Sequence, residues 1–255
     1  FSWSLTYQLM ALIMALNIIC SIYISSETEN SELVKLNYKQ SIIEPINDFF
    51  SRFGIKIASM LLLIIATYRL TDIVMGPMAN PFYIDMGYSL SEIGYVVKVV
   101  ALIATIVGVF FGGFLIKRGG LYSSLLIGGL LVMLTNLCFS YAAINEKNLI
   151  LLASIVASDS LAAGIVGTVN ITFLTSLVSS KYTGFQYALL TSLMAFLGKI
   201  FGGFSGVLVE NFQNLYGFSY GWMSFYIFTS LLAIPAILII FFNKNFFIAK
   251  HVKDN

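Results

Sequence analysis

The 255 residues are 58% hydrophobic and 10% charged, with a mean hydropathy of +0.90, more apolar surface than a soluble domain of this length can bury, so the composition reads as an integral membrane protein. A formal net charge of +2 without a basic patch excludes nucleic acid as a partner. Two isolated cysteines, Cys20 and Cys138, and a single histidine, His251, in a polar tail leave no basis for a disulfide, a metal or cofactor site, or a histidine relay.

The chain opens on Phe1-Ser2-Trp3, without an initiator Met, a basic n-region or a small-residue cleavage site. That start predicts a membrane span rather than a signal peptide, and a fragment or interrupted gene product with something N-terminal missing. Seven runs are long enough for a hydrocarbon core of about 30 Å: residues 2–24, 56–84, 91–116, 121–143, 149–178, 184–209 and 222–243. The expected fold is therefore an all-α integral membrane bundle of about seven transmembrane helices. Its parts are a first helix (1–24), a cytoplasmic linker (25–55), a six-helix unit (56–243) and a cytoplasmic tail (244–255). Runs four and five are joined only by Asn145-Glu146-Lys147-Asn148, which makes them antiparallel neighbours, whereas Glu210 through Gly221 forms a longer polar and aromatic connection between runs six and seven.

Within the linker, an acidic stretch from Ser25 gives way at Ser41 to Ile42, Ile43, Ile46, Phe49, Phe50 and Phe53 at helical spacing, with Glu44, Asp48 and Arg52 on the other side and Pro45 near the first turn. This predicts an amphipathic helix, lying in the membrane interface or packed on the bundle as an ordinary surface helix; the spacing fits both. The second run then carries Tyr68-Arg69-Leu70-Thr71-Asp72. A charge at bilayer depth costs about 2.5–3.5 kcal/mol on insertion scales, and such residues mark substrate or proton paths or pair with one another. Arg69 and Asp72 share a face at i, i+3, and Tyr68 and Asp72 are neighbours at i, i+4, so the helix is read as lining a transport cavity. The plainer alternative is a neutralising pair that only holds helices together.

Ser89-Leu90-Ser91-Glu92 has the form of a capping box at the start of run three. Gly108, Gly112 and Gly113 in that run, and Gly198, Gly202 and Gly206 in run six, form small-residue stripes that allow close helix approach.

Three further ionisable residues interrupt apolar runs: Lys98, Asp159 and Lys199. At about 1.5 Å per residue, Lys98 and Asp159 fall about 10 and 15 Å from the outer ends of their runs, and Arg69 and Lys199 about 20 Å from the cytoplasmic side. The shared depth favours one polar cavity, and three cations against two anions predict an anionic small-molecule substrate held by Arg69, Lys98 and Lys199 with Tyr68 beside them. Asp72 or Asp159 is then placed to exchange a proton as access alternates. For Lys98 and Lys199 the alternative is snorkelling to the interface. No nucleophile stands beside a base and no glycine loop precedes a helix to hold phosphate, so nothing argues for an enzyme.

Lys35, Lys39, Arg52 and Lys56, then Lys117 and Arg118, Lys181, and the tail lysines Lys244, Lys250 and Lys253 occupy alternate loops, while the opposite loops carry only Lys147. The positive-inside rule puts the N-terminus outside and the C-terminus in the cytoplasm.

Pro45 through Gly94, with D-F-F-S-R, Y-R-L-T-D and M-G-Y-S-L-S-E-I-G, resembles the region opening the second half of the AmpG muropeptide permeases of the major facilitator superfamily. The likeness continues in A-T-I-V-G-V-F-F-G-G-F-L-I-K-R-G-G (Ala104 to Gly120), F-Q-Y-A-L-L-T-S-L (Phe185 to Leu193) and G-W-M-S-F-Y (Gly221 to Tyr226). The K-R-G-G loop lacks the complete basic motif, and no family motif covers Asp159 and Ser160. The resemblance implies twelve helices in two halves, with residues 1–24 as the sixth helix and the rest as the C-terminal half of a major facilitator fold, so that a separate N-terminal half becomes a possible partner. It also implies proton-driven import of anhydromuropeptides, multiply carboxylated sugar-peptide fragments of the cell wall, across the bacterial inner membrane. Two other readings stay open: a related facilitator for another anion such as acetyl-CoA, because the fold does not fix the substrate, and a non-transporting remnant or membrane-embedded partner protein.

Overall fold

The structure is a computed structural model that describes residues 3–24 and 38–251, and every regular element among them is helical. Contacts divide the chain into two units, residues 1–41 and 42–255. In the first, α1 (Trp3–Ile24) is apolar on all sides and every described side chain is exposed. The acidic stretch expected from Ser25 lies outside the described residues.

The second unit starts within α2 (Tyr38–Tyr68), which Gly54 interrupts in the left-handed region, at φ 70° and ψ 157°. Before that break lies the amphipathic segment, whose Phe49 is buried and whose Phe50 and Phe53 pack against the core with Leu61 and Ile65. Its apolar face packs on the bundle. Its polar face is tied down as well. Arg52 donates to Asp48 (2.9 Å), to the Leu177 carbonyl (3.0 Å) and to Gln186 Oε1 (3.0 Å). The Gln186 amide donates to Asp48 (2.9 Å) and the Pro45 carbonyl (2.8 Å), and its oxygen also accepts from the Ser179 N–H (2.7 Å). A buried glutamine with every hydrogen-bonding atom used adds directional bonds to the apolar packing.

After Arg69 the chain resumes as α3 (Leu70–Asp85), followed by α4 (Leu90–Tyr95), a π-helical turn (Val96–Val100) and α5 (Ala101–Ala143). The capping box is present in full, with Glu92 N–H bonded to the Ser89 hydroxyl and Ser89 N–H to the Glu92 carboxylate, and Lys147 bridges to the same carboxylate at 2.9 Å. As one rod, residues 90–143 would run about 80 Å, more than twice the apolar thickness of a bilayer. Gly120, at φ 71° two residues after Arg118, breaks that rod; among the described residues six helices are long and apolar enough to cross a membrane, and this one is long enough to do so twice. α6 (Leu149–Leu177) starts on Asn148, whose side-chain oxygen accepts from the Ile150 and Leu151 N–H groups.

Beyond α7 (Thr183–Gly203) the structure departs from the expected boundaries. The stretch from Glu210 to Gly221 is not an extended connection: α8 (Ser205–Tyr216) carries the helix through most of it, and Gly217 alone, at φ 83°, turns the chain into α9 (Phe218–Leu231). Glycine at 221 then lets α9 lie on Gln213, where an added Cβ would stand 2.5 Å from the Gln213 Cα. Polarity in that stretch marks an exposed helix face, and one positive-φ residue is enough to reverse direction. α10 (Ile234–Phe242) and α11 (Lys244–His251) are the last described elements, so the stretch expected as a cytoplasmic tail begins with a helix, whose Phe247 is buried against the core.

Gly108, Gly112, Gly198 and Gly202 of the glycine stripes allow close helix approach as their spacing predicts, whereas Gly113 faces open space and Gly206 makes only an ordinary contact. An added Cβ at Gly108 or Gly164 would strike the facing backbone of α6 or α5, and one at Gly202 would reach the Ile73 carbonyl of α3 at 3.0 Å. Polar stitches join α5 to α9: Thr229 donates to Asn136 (2.8 Å), Ser230 to the Met133 carbonyl (3.0 Å) and Ser140 to the Met223 carbonyl (3.2 Å). A second core of Phe82, Phe139, Trp222, Phe225 and Tyr226 fills the space between α3, α5 and α9.

Candidate functional site

Arg69 stands in the break between α2 and α3, at φ −106° and ψ 9°, and the helix resumes at once, because Ile73 N–H bonds to the Arg69 carbonyl at 3.1 Å. Irregular backbone inside an apolar run is tolerated where it faces protein or a cavity, and transporter sites are commonly built at such breaks. One turn on, Asp72 accepts from Arg69 Nη2 at 3.3 Å, a single long contact rather than a two-pronged one. Arg69 Nε is buried and has no partner.

α6 brings Asp159 to the same place. Arg69, Asp72 and Asp159 line one cavity of about 260 Å³, walled by α3, α6 and the start of α5. Asp159 accepts from the Thr135 hydroxyl of α5 at 3.1 Å, and among the described residues no cation lies within ion-pair distance of it. Asn80, Tyr83 and Ser160 line the cavity too. Gly76, Ala79, Ala101 and Ala163 keep its walls thin.

The other sequence-predicted residues lie elsewhere. Lys98 is exposed on the π-helical turn and Lys199 on α7, and neither is among the lining residues. Tyr68 is 4% exposed, with its ring over Gly128 and Gly129 of α5 and its hydroxyl donating to the Leu125 carbonyl at 3.0 Å. The reason is steric: the two glycines open a notch, and at Gly128 an added Cβ would be 2.7 Å from that hydroxyl. The expected excess of cations therefore does not hold for this cavity, which one guanidinium shares with two carboxylates. Shared depth along the membrane normal says nothing about which way around its helix a side chain points. Among the described residues no group of three or more His, Cys, Asp or Glu is arranged to hold a metal ion.

Asn80, Tyr83, Ser160 and Thr135 were missed by reasoning that followed charge alone. A signal for the first two was present, since Asp72, Gly76, Asn80 and Tyr83 fall at i, i+4, i+8 and i+11, one face of a helix.

A family model described as the Major Facilitator Superfamily matches residues 1–203. The chain belongs to the Major Facilitator Superfamily. This facilitator is a multi-pass membrane protein, and several of its curated relatives carry AmpG names. It is similar to Putative transporter AmpG 4 of Rickettsia felis, 31% identical over 249 residues that cover 96% of this chain and 58% of that protein. Against Putative transporter AmpG 1 of Rickettsia prowazekii it is 33% identical over 195 residues, 75% of this chain and 42% of the relative. The anhydromuropeptide permease of Escherichia coli K12 is 29% identical over 255 residues, 99% of this chain and 49% of that permease. The chain thus spans about half the length of the curated relatives it matches.

Proposed function

We propose that the facilitator acts in proton-coupled import of anhydromuropeptide-like anions across the bacterial inner membrane, as the C-terminal half of a two-half transporter. Transport, not catalysis, is the activity. The observation that carries this reading is the charge count of the cavity, one guanidinium facing two carboxylates. With both carboxylates ionised, a further anion at Arg69 would be repelled. Once one of them is protonated, Arg69 is free to turn its unpartnered Nε and its Nη2 to a substrate carboxylate. Substrate and proton then bind together, which is the thermodynamic content of symport. Asp159 is the first candidate for the proton, because its partner is a hydroxyl and Asp72 already has the guanidinium. At about 260 Å³ the cavity is smaller than the roughly 300–1,000 Å³ of a typical small-molecule site, which supports a site completed by a second half.

The loop alternation of Lys and Arg supports a periplasmic start and a cytoplasmic C-terminus for this stretch of chain. A reporter fused after Asn255 is then cytoplasmic and one inserted at Glu146 periplasmic; both on one side would defeat that topology. For the activity, the full-length gene product carrying this chain is expressed in cells lacking their own anhydromuropeptide permease, and uptake of labelled anhydromuropeptide is compared with uptake of acetyl-CoA. Uptake of the muropeptide that collapses with the pH gradient is the expected result. Uptake of acetyl-CoA alone, or none, would defeat the proposal.

A further inference from the structure

The cavity contains more hydrogen-bonding capacity than its ion pair uses. Asn80 and Tyr83 on α3 and Ser160 on α6 line it beside the charged residues, and none of these three side chains makes a hydrogen bond among the described residues. Tyr83 is 4% exposed as a whole residue, and it is part of the cavity lining. Ser160 is the exception in its own helix: Ser154, Ser158, Thr168, Thr172, Thr175 and Ser176 each donate to a carbonyl three or four residues back. With Arg69 Nε also unpartnered, the unused donors and acceptors line the cavity from both α3 and α6.

They are not spread evenly along the cavity. Arg69 and Asp72 stand at the start of α3 and Asn80 and Tyr83 near its end, so at about 1.5 Å per residue Arg69 and Tyr83 are about 21 Å apart along the helix. One end of the slot is charged. The other offers a carboxamide that both donates and accepts, two hydroxyls and an aromatic face, with Asp159 next to Ser160 and no second cation among the lining residues. Gly76, Ala79 and Ala163 leave the passage between the ends free of bulky side chains.

We propose that Asn80, Tyr83 and Ser160 form an uncharged subsite that takes the hydroxyl- and amide-bearing portion of an anionic ligand, whose carboxylate lies toward Arg69. This rests on the reading of the cavity as a substrate site. The groups are specificity-determining: they select what is attached to the carboxylate, whereas Arg69 selects the carboxylate itself. Neutral hydrogen bonds of this kind discriminate because a ligand lacking the matching group leaves them unpaired in a dry site.

Tyr83→Phe keeps the ring and removes only a hydroxyl that bonds to nothing in the protein, and Ser160→Ala removes a hydroxyl that does not brace its helix, so both variants fold. In the full-length gene product carrying this chain, with labelled anhydromuropeptide as probe, each raises the KM for uptake about fivefold, the loss of one neutral hydrogen bond, with kcat and membrane abundance unchanged. Together they raise it further, and Asn80→Leu gives a comparable rise. Arg69→Gln serves as the reference for the charged end. If Arg69→Gln raises KM while Tyr83→Phe, Ser160→Ala and their combination all stay at the wild-type value, the subsite is wrong and the substrate site stands. If the wild type takes up no muropeptide, both fall together. A fall in kcat at unchanged KM would also overturn the subsite, since it would mark a role in movement and not in binding.

Discussion

Two Arg–Asp pairs on neighbouring stretches of the chain resemble each other in sequence and differ in what surrounds them. Arg52 and Asp48, at i, i+4 on the amphipathic part of α2, meet at 2.9 Å, and Gln186, Ser179 N–H and the Leu177 and Pro45 carbonyls take up the hydrogen-bonding positions left over. Arg69 and Asp72, at i, i+3, meet at 3.3 Å across a helix break, with Arg69 Nε unpartnered and a second carboxylate, Asp159, on the opposite wall. The first arrangement is braced on several sides, with Arg52 Nε and Nη2 and both ends of the Gln186 amide bonded, so disturbing it costs stability. Capacity left over in the second is available to a ligand. An ion pair in an apolar protein is thus read by its unused valences more than by its charges.

The difference between the pairs can be tested where its effect is largest. Asp159→Asn mimics the protonated carboxylate, so it retains counterflow exchange of muropeptide and loses accumulation driven by a pH gradient altogether; Asp72→Asn is the comparison. If the Asp159 variant still concentrates substrate and the Asp72 variant does not, the proton belongs to Asp72, and if both concentrate it, neither carboxylate couples. Next in size is Arg69→Gln, for which loss of a charge-assisted hydrogen bond to the substrate predicts a rise in KM of about tenfold or more at normal membrane abundance. Arg69→Lys recovers only part of it, lacking the fork. Disappearance of the protein instead would make Arg69–Asp72 a structural pair like Arg52–Asp48.

The braced cluster around Gln186 carries the opposite expectation. Gln186→Leu strands the Ser179 N–H and the Pro45 carbonyl and lowers stability by about 2 kcal/mol, read as an earlier thermal transition in detergent, with KM unchanged. A shift in KM without loss of stability would erase the distinction between the two regions. Smallest of all, Lys98→Gln and Lys199→Gln should leave KM within roughly twofold, as for exposed charges in general. A larger change at either would bring that lysine back to the substrate.

Much of the architecture was legible from residue order because the signals are local. The length of apolar runs, the Ser89–Glu92 cap and the four-residue glycine steps Gly108–Gly112 and Gly198–Gly202 each act within a few turns of one helix, and each appears in the structure as its spacing predicts. So does the break after Lys117 and Arg118, although the glycine that makes it, Gly120, is one of four at positive φ and only its flanking charges point to it. The membership of the cavity was a different matter. Five ionisable residues share a depth by counting along their helices, yet only Arg69, Asp72 and Asp159 face one space, and the uncharged Asn80, Tyr83 and Ser160 join them there. Depth follows from rise per residue, which the sequence sets. Facing follows from how each helix is rotated and how closely its neighbours approach, and that is decided by contacts such as Tyr68 in the Gly128–Gly129 notch and Gly198 and Gly202 against Ile73, between residues far apart in the chain.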